Sequence, residues 1–282
     1  MTPHLVRTFA KVNLSLLVYP PNDQGMHPIY SIFQNISLFD ELEITESNTF
    51  QITCSNPNVP TNNLNLLSKI YSHFKNILST GFKIHLKKNI PMGGGLGGGS
   101  SNAAGFLQYL NKSQNWNFST NKLITISKLF GSDIAFFLVG GTAIVTGTGN
   151  IVTSVPQKLL KPLLLLMPNI HCNTKDIYDS FDKQLKPKLP NKESIETINR
   201  NHIGTNSLKK AVFGKHKLFH HLEQTCTSFN KALHLSGSGA CCFIKCDSES
   251  ESHTIQNILK DTYPSLKTEI YLPINTGITI EM

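Results

Sequence analysis

The sequence has no acidic residue over a long central stretch. None of its 18 aspartates and glutamates lies between Ser47 and Ser132, and the next carboxylate along the chain is Asp133. A glycine-rich run, GGGLGGG at 93–99, falls inside this stretch. A Rossmann-type dinucleotide site needs an acidic residue about 20 positions after its glycines to hold the ribose. The absence excludes that kind of site, although the glycines match its GxGxxG spacing.

Cysteine pairs and long apolar runs are also lacking. The six cysteines form no CxxC pair, which excludes the usual zinc spacings and a compact disulfide framework. Cys242 and Cys246 fall on one face of a predicted strand and are expected to be small core residues. No apolar run reaches the length of a membrane span, and the N-terminus resembles neither a signal peptide nor a transit peptide. The sequence therefore predicts a cytoplasmic protein.

Positive charge, in contrast, is in excess and spread along the chain. The formal net charge is +8, which favours an anionic partner. Because the basic residues are scattered, phosphorylated metabolites fit better than nucleic acid or a membrane surface. The densest basic segment, SLKKAVFGKHKLFHH at 207–221, has helical spacing and is expected to form a solvated helix face.

Hydrophobic periodicity predicts a mixture of strands and helices in the first half of the chain. Alternation of apolar and polar residues predicts strands at 11–19, 82–88 and 142–146. Apolar residues at helical spacing predict helices at 63–78, 101–111 and 119–130. The first strand places Lys11 and Asn13 together on a polar face, and Ser119 or Thr120 is expected to cap the last helix.

A boundary near 156–162 is predicted to separate two domains, at 1–157 and 158–282. The second domain is expected to contain helices within 174–231 and strands at 163–169, 240–246 and 267–274. A further helix is predicted to begin after Ser248, where Glu251 completes a capping box. Because strands and helices follow no regular βαβ order, the predicted fold class is α+β.

The glycine run lies between a predicted strand and a predicted helix. That order aims free backbone N–H groups and the positive end of a helix at one point, which is typical of an anion site. A Walker A loop is excluded because Gly99 stands where its lysine is required. A protein-kinase loop is excluded because no VAIK or HRD motif follows. The segment 91–101, here called the glycine loop, therefore predicts a phosphate site of another type, with Ser100 and Ser101 as hydroxyl donors.

Two further segments admit more than one interpretation. Asp133, in LFGSDIAFF, either caps the helix that follows it or supplies a carboxylate for proton transfer. The segment LSGSGACCF at 235–243, here called the second loop, is either a tight turn before a strand or another part of the site.

Together these segments resemble the GHMP small-molecule kinases. PMGGGLGGGSSNAA at 91–104 is similar to that superfamily's long phosphate loop, the second loop to its third motif and KVNLSL to its first. DQGMHPIYSIFQNISLFDELEI (23–44), GSDIAFF and NSL (206–208) resemble the members that act on a diphosphocytidyl derivative of methylerythritol. The resemblance spans nearly the whole chain and is weakest from 180 to 230. It implies a two-domain α+β GHMP kinase fold, with an N-terminal ribosomal-protein-S5-like domain and a C-terminal ferredoxin-like domain.

The resemblance also implies an activity and a set of site residues. The activity is ATP-dependent phosphorylation of the 2-hydroxyl of that cytidyl substrate, in the non-mevalonate route to isoprenoids, with Mg²⁺ delivered by ATP and no nucleic acid, membrane or obligate protein partner. The implied catalytic residues are the base Asp133 and its partner Lys11. The implied ATP-binding residues are Asn63 and, in the glycine loop, Pro91, Met92, Gly93, Gly94, Gly95, Leu96, Gly97, Gly98, Gly99, Ser100 and Ser101. The implied substrate-binding residues are Asn13, Met26, His27, Tyr178, Gly237, Ser238 and Gly239.

The sequence departs from the family pattern at two points. Met26 stands where the family has a tyrosine that stacks on cytosine, so a thioether replaces a ring. His27 is left to hydrogen-bond the base, and Tyr178 matches the aromatic residue on the opposite side. No acidic residue occurs in the loop or its helix, so the resemblance leaves Mg²⁺ to phosphates, water, Ser101 and Asp133.

Several alternatives stay open at this point. Another GHMP kinase, for homoserine or a sugar, would share the loops, and His27 and Tyr178 argue against it. A basic nucleic-acid binder would share part of the fold, but it would give Lys11 and Asp133 no role. A degenerate kinase that acts as a sensor also fits. Asn63, matched to the adenine pocket, equally fits a helix N-cap.

Overall fold

Two β-sheets with helices packed against them make up the computed structural model, which describes residues 3–156, 161–184 and 204–282. The strands are β1 (His4–Val18), β2 (Ile29–Ser47), β3 (Gln51–Cys54), β4 (Gly81–Lys87), β5 (Thr142–Thr146), β6 (Ile151–Val155), β7 (Leu163–Met167), β8 (His234–Leu235), β9 (Cys242–Lys245), β10 (Lys267–Tyr271) and β11 (Ile278–Glu281). The helices are α1 (Leu66–Phe74), α2 (Gly98–Ser113), α3 (Thr120–Ser127), α4 (Ile134–Val139), α5 (Thr174–Asp182), α6 (Lys209–Phe213), α7 (Lys217–Ser228) and α8 (Glu249–Thr262). The predicted α+β class is confirmed.

The first sheet has seven strands and is built around the long strand β2. Its strand order is β11-β1-β2-β4-β3, and β5 pairs with β2 and β6. The first half of β2 pairs with β5 and the second half with β4. Strand β11, from the end of the chain, pairs antiparallel with β1. The last strand thus completes the sheet that the first strand begins.

Helix α2 packs closely on β1, and a glycine allows this. A Cβ atom built on Gly105 would lie only 2.4 Å from Thr8 Cγ2, so a larger residue would push the helix away from the strand. The same helix contributes Phe106 and Tyr109 to a core that also buries Phe33 and Phe82. This packing fixes the start of α2, and with it the glycine loop, relative to β1.

The second sheet has the order β10-β7-β9-β8 and packs against the first. All five residues of β7 are buried, as the apolar run predicts. Cys242 and Cys246 are buried free thiols, which confirms their expected place in the core. Between the sheets, Val12 and Leu14 of β1 pack with Leu165. Because alternate residues of a strand point to opposite faces, Lys11 and Asn13 lie on the other face of β1.

Several local predictions can be compared with the structure. Ser119 caps α3 and Ser248 caps α8, as predicted. The helix predicted at 63–78 is shorter, because Asn65 accepts a hydrogen bond from the Leu67 amide and starts α1 at Leu66. The basic segment 207–221 forms α6 and the start of α7.

The predicted domain boundary between 157 and 158 lies outside the described residues, and the division stays a prediction. Strand β11 follows that boundary in sequence but belongs to the first sheet. None of the described helices is both long and apolar enough to cross a membrane.

Candidate active site

Lys11 is a buried lysine at the junction of β1 and the glycine loop. Its side chain is only 3% exposed. Its Nζ donates to Asn13 Oδ1 at 2.6 Å and to the Gly95 carbonyl oxygen at 2.9 Å. It also lies 4.6 Å from the centre of the Phe33 ring, within range of a cation–π interaction. The lysine therefore links the polar face of β1 to the loop that follows β4.

Asn13 is itself held by a chain of hydrogen bonds. Its Nδ2 donates to Ser31 Oγ at 2.9 Å, and the Ser31 hydroxyl donates to the Ser15 carbonyl oxygen at 2.5 Å. With Nδ2 engaged by Ser31, the amide oxygen Oδ1 faces the ammonium group of Lys11. Side chains from two adjacent strands thus hold that ammonium group in one position.

Burial lowers the pKa of Lys11 from 10.5 to about 8, and the nearby Asp133 carboxylate opposes this shift. Desolvation disfavours the charged form of a lysine, whereas an opposite charge favours it. Lys11 is therefore mostly charged at neutral pH and loses its proton within the working range of an enzyme.

Asp133 precedes α4 but does not cap it. The residue occupies the N-cap position, and its side chain makes no capping hydrogen bond. Among the described residues, none donates a hydrogen bond to its carboxylate. The capping interpretation is therefore wrong, and the carboxylate is left as an acceptor beside Lys11. A Cβ atom built on Gly149 would lie 3.2 Å from Asp133 Oδ1, so the turn between β5 and β6 approaches it closely.

The glycine loop delivers backbone amides to the start of α2. Gly93, Gly95 and Gly97 have positive φ angles of 64°, 73° and 72°, a conformation that favours glycine. The first N–H bond of the helix runs from Ser101 to the Gly97 carbonyl oxygen at 2.9 Å. The amides at 98–100 precede that bond, so they are free to face an anion at the positive end of the helix.

The second loop is hydrogen-bonded to the glycine loop, so the tight-turn interpretation alone is insufficient. Ala240 and Cys241 donate their N–H groups to the carbonyl oxygens of Gly93 and Gly94, both at 3.2 Å. Ser236 Oγ donates to the Gly95 carbonyl oxygen at 2.9 Å, the same oxygen that accepts from Lys11. Elements from both sheets therefore fix the shape of the glycine loop.

A cleft of about 770 Å³ opens over these groups and brings most of the predicted residues together. The predicted residues that line it are Lys11, Asn13, Met26, His27, Pro91, Met92, Gly93, Gly94, Gly95, Leu96, Gly97, Gly98, Gly99, Ser100, Asp133, Tyr178, Gly237 and Ser238. The volume falls within the usual range for small-molecule sites.

Three predicted residues lie elsewhere. Ser101 is fully buried and its hydroxyl donates to the Phe9 carbonyl oxygen at 2.7 Å, so that hydroxyl is not directed at a phosphate or metal ion. Asn63 is exposed and lies outside the cleft. Asn65, two residues later, lines the cleft and caps α1. Gly239 faces the core that packs against the second sheet rather than the cleft, since an added Cβ would lie 3.2 Å from Leu235 Cδ1.

Met26, His27 and Tyr178 lie together at one end of the cleft, here called the acceptor pocket. The rings of His27 and Tyr178 are 5.0 Å apart, whereas Met26 is 49% exposed. Burial, with a smaller effect of the Asp133 carboxylate, raises the pKa of Tyr178 to about 12. The Tyr178 hydroxyl is therefore uncharged at physiological pH, and its ring forms one side of the pocket.

Lys88 is a functional candidate that the sequence analysis missed. It lines the cleft, and its Nζ donates to the buried Asp40 carboxylate and to the Ile90 carbonyl oxygen. Burial lowers its pKa, although Asp40 acts in the opposite direction. An added Cβ on Gly98 would lie 2.7 Å from Lys88 Nζ, so this cation lies beneath the first turn of α2. The alternation that buries Leu86 could have indicated the inward position of Lys88.

The donor set of the cleft offers little to a metal ion by itself. In the described parts of the chain, no group of three or more His, Cys, Asp and Glu side chains could hold one. Asp133 is the carboxylate that the cleft presents. Magnesium prefers to keep several waters and to bind through one or two carboxylates plus substrate phosphates, and the site fits that mode.

Residues 65–141 match the family model described as "GHMP kinases N terminal domain". A 4-diphosphocytidyl-2-C-methyl-D-erythritol kinase of Clostridium botulinum (strain Eklund 17B / Type B) is 30% identical over 273 residues, which cover 92% of this chain and 96% of the relative. The kinase of that name from Caldicellulosiruptor saccharolyticus is 36% identical over 197 residues, which cover 68% of this chain and 67% of the relative.

Solved structures show the same fold. A 4-(cytidine 5'-diphospho)-2C-methyl-D-erythritol kinase superposes with a TM-score of 0.74 at 24% identity and covers 95% of this chain and 99% of its own. Homoserine kinase from Cytophaga hutchinsonii gives a TM-score of 0.75 at 16% identity, and the superposition covers 99% of this chain and 98% of the homoserine kinase.

The fold and the glycine loop define a small-molecule kinase of the GHMP class, which confirms the resemblance seen in the sequence. The chain belongs to the 4-diphosphocytidyl-2-C-methyl-D-erythritol kinase family. Membership of a kinase family implies ATP as the phosphoryl donor and a small molecule as the acceptor.

Proposed function

We propose that the chain transfers the γ-phosphoryl group of ATP to the 2-hydroxyl of 4-diphosphocytidyl-2-C-methyl-D-erythritol, in the non-mevalonate route to isoprenoid precursors. The observation that supports this most directly is the meeting of Lys11, Asp133 and the glycine loop in one cleft. Phosphoryl transfer needs groups that bind the phosphates and a group that accepts the proton of the acceptor hydroxyl. The backbone amides of the glycine loop would serve the first purpose and the Asp133 carboxylate the second.

ATP is proposed to bind with its phosphates on the glycine loop. The free amides at 98–100 and the positive end of α2 would bind phosphate oxygens, and Lys88 would add positive charge beneath them. An apolar wall next to the loop is proposed to hold the adenine. It is formed by Val59, Pro60, Leu64 and Leu66, which line the same cleft.

Asp133 is proposed as the general base and Lys11 as its partner. The Asp133 carboxylate would accept the proton of the acceptor hydroxyl, whose oxygen forms the new bond to the γ-phosphorus as the bond to the β–γ bridging oxygen breaks. Lys11 would keep the carboxylate ionised and reduce negative charge at the reacting oxygens. Mg²⁺ carried by ATP would supply neutralisation of phosphate charge, and Asp133 is the side chain here that could reach it.

The acceptor pocket is proposed to bind cytosine. Met26 and Tyr178 would contact the two faces of the base. His27 would lie at its edge, in a ring orientation fixed by the hydrogen bond from Nδ1 to the Tyr19 carbonyl oxygen at 2.7 Å. A stacked aromatic ring contributes about 1–3 kcal/mol per base.

A Tyr178→Ala variant tests this placement. We expect the KM for the cytidyl acceptor to rise roughly 5- to 150-fold with little change in the KM for ATP, since only the acceptor loses a stacking partner. Tyr178→Phe is the matched control, because it keeps the ring and should keep the KM. Equal effects on both substrates, or no effect on the acceptor, would argue against a base at this position.

A further inference from the structure

His27 bridges two segments that come from different parts of the chain. Its ring is only 10% exposed. Nδ1 faces the Tyr19 carbonyl oxygen, at the end of the hairpin that also carries Met26. A carbonyl oxygen can only accept, so Nδ1 carries the hydrogen. The opposite nitrogen, Nε2, lies 3.3 Å from Oδ2 of Asp182, in the last turn of α5. Because a carboxylate oxygen also only accepts, this contact is an ion pair in the form of the ring that carries a hydrogen on both nitrogens.

The contacts on the α5 side come from one face of that helix. The His27 ring centre lies 5.0 Å from that of Tyr178 and 6.3 Å from that of Phe181. Together with Asp182, these residues have the i, i+3, i+4 spacing that places side chains on one helix face. The histidine therefore packs between α5 and the hairpin, which carry the two sides of the acceptor pocket.

Among the described residues, His27 is the one side-chain partner of the Asp182 carboxylate. Its Oδ1 is buried and has no hydrogen-bond partner in the part of the chain that the structure describes. Leaving a buried polar atom unpaired costs free energy, although the Asp182 side chain as a whole is 39% exposed. None of the sequence patterns discussed above includes Asp182.

We propose that Asp182 is a positioning residue for the acceptor: it holds the His27 ring and thereby fixes the hairpin that carries Met26 relative to the helix that carries Tyr178. The proposal rests on the proposed function of the acceptor pocket. Asp182 acts through His27 and does not itself touch the reacting atoms. Its removal should loosen the pocket without disturbing the phosphate end of the cleft.

The test is a double-mutant cycle between Asp182 and His27, read by calorimetric binding of cytidine 5′-diphosphate. We expect Asp182→Ala to weaken binding about 5- to 30-fold, the coupling expected within one network, while kcat and the KM for ATP change less than about twofold. In a His27→Ala background the same substitution should have almost no effect. Asp182→Glu should restore part of the affinity.

Asp179→Ala is the matched control, because Asp179 is exposed on the same helix and forms no ion pair among the described residues. It should bind cytidine 5′-diphosphate like the wild type. Additive effects in the cycle, tighter binding by Asp182→Ala, or equal losses in both aspartate variants would overturn the proposal. Because the probe binds without turnover, these outcomes stay separate from a failure to phosphorylate the cytidyl acceptor.

Discussion

Lys11 is a nearly buried lysine, with 3% of its surface exposed, at the wall of the cleft. Burying an ammonium group costs free energy that its hydrogen bonds to Asn13 and Gly95 offset only in part. An apolar residue would fill the same space at lower cost. The proposed function gives this cost a reason, because a phosphate bound beside the Asp133 carboxylate would be a further partner for the Lys11 charge.

Replacing Asp133 by asparagine separates catalysis from structure. We expect Asp133→Asn to keep the fold and ATP binding but to lose turnover by roughly 10²- to 10⁴-fold, the usual contribution of a general base. Lys11→Ala should also lower turnover, and the double variant should lose much less than the product of the single losses. Steady-state kinetics with calorimetric ATP binding provides the measurement. Near-wild-type turnover of Asp133→Asn would remove the proposed base.

The lowered pKa of Lys11 predicts an alkaline limit to activity. We expect kcat/KM, which reports the free enzyme, to fall as pH rises through about 8, because Lys11 loses its proton there rather than near 10.5. Between about pH 8 and 10.5 the unfolded chain keeps the Lys11 proton and the folded protein loses it. The contribution of Lys11 to the free energy of unfolding therefore increases with pH over this range. A loss of activity near pH 8 without a lower melting temperature supports the account. A profile that stays flat to pH 10 contradicts it.

At the scale of elements, the proposed phosphate site is the junction between the glycine loop and α2. Gly97 is a poor position to test, since a Cβ there would lie 2.6 Å from the Phe137 ring and 3.3 Å from Lys11 Cγ. A substitution would disturb the core and Lys11 together. Gly99 differs: it lines the cleft, and an added Cβ meets no atom within 4 Å.

Gly99→Val is therefore the informative variant of the loop. We expect the KM for ATP to rise roughly 10- to 150-fold, which corresponds to about 1.5–3 kcal/mol of lost hydrogen bonding to a charged group. The melting temperature should be unchanged or higher, because valine favours a helix more than glycine does. Gly99→Ala should show a smaller effect in the same direction. Unaltered ATP affinity in a folded Gly99→Val protein would place the phosphates elsewhere.

Local signals in the sequence predicted most elements, and they were insufficient where distant residues decide. Ser119 and Ser248 were found because a cap and its helix are adjacent in sequence. The length of α1 was overestimated, since Leu64 and Leu78 continue the apolar spacing although Asn65 starts the helix at Leu66. The pairing of β11 with β1 joins the two ends of the chain, and no local pattern encodes it.

The candidate site shows the same division. The glycine loop, Lys11 and Asp133 were predicted because their motifs are contiguous. Ser101 was assigned wrongly to the cleft, because its position in the motif does not reveal that its hydroxyl turns to the Phe9 carbonyl oxygen. Asp182 carries no signal of its own, since its contact with His27 appears only after helix and hairpin have packed.

At the scale of the whole molecule, β1 connects the two sheets and the site. Its apolar face packs against the second sheet through Val12 and Leu14, and its polar face holds Lys11 and Asn13. Both sheets are therefore needed to form the cleft. The fold alone does not identify the acceptor, because homoserine kinase superposes as well as the cytidyl kinase does. In the proposed function, the acceptor pocket selects the acceptor.

The most direct test of the account is a comparison of acceptors. ATP-dependent phosphorylation would be measured with 4-diphosphocytidyl-2-C-methyl-D-erythritol, with the same polyol lacking the cytidyl group, and with homoserine. We predict that kcat/KM is highest for the cytidyl compound, and that Tyr178→Ala lowers it for that compound alone, because only a base occupies the acceptor pocket. Faster phosphorylation of homoserine or of the bare polyol would contradict the assignment of this pocket and of the substrate.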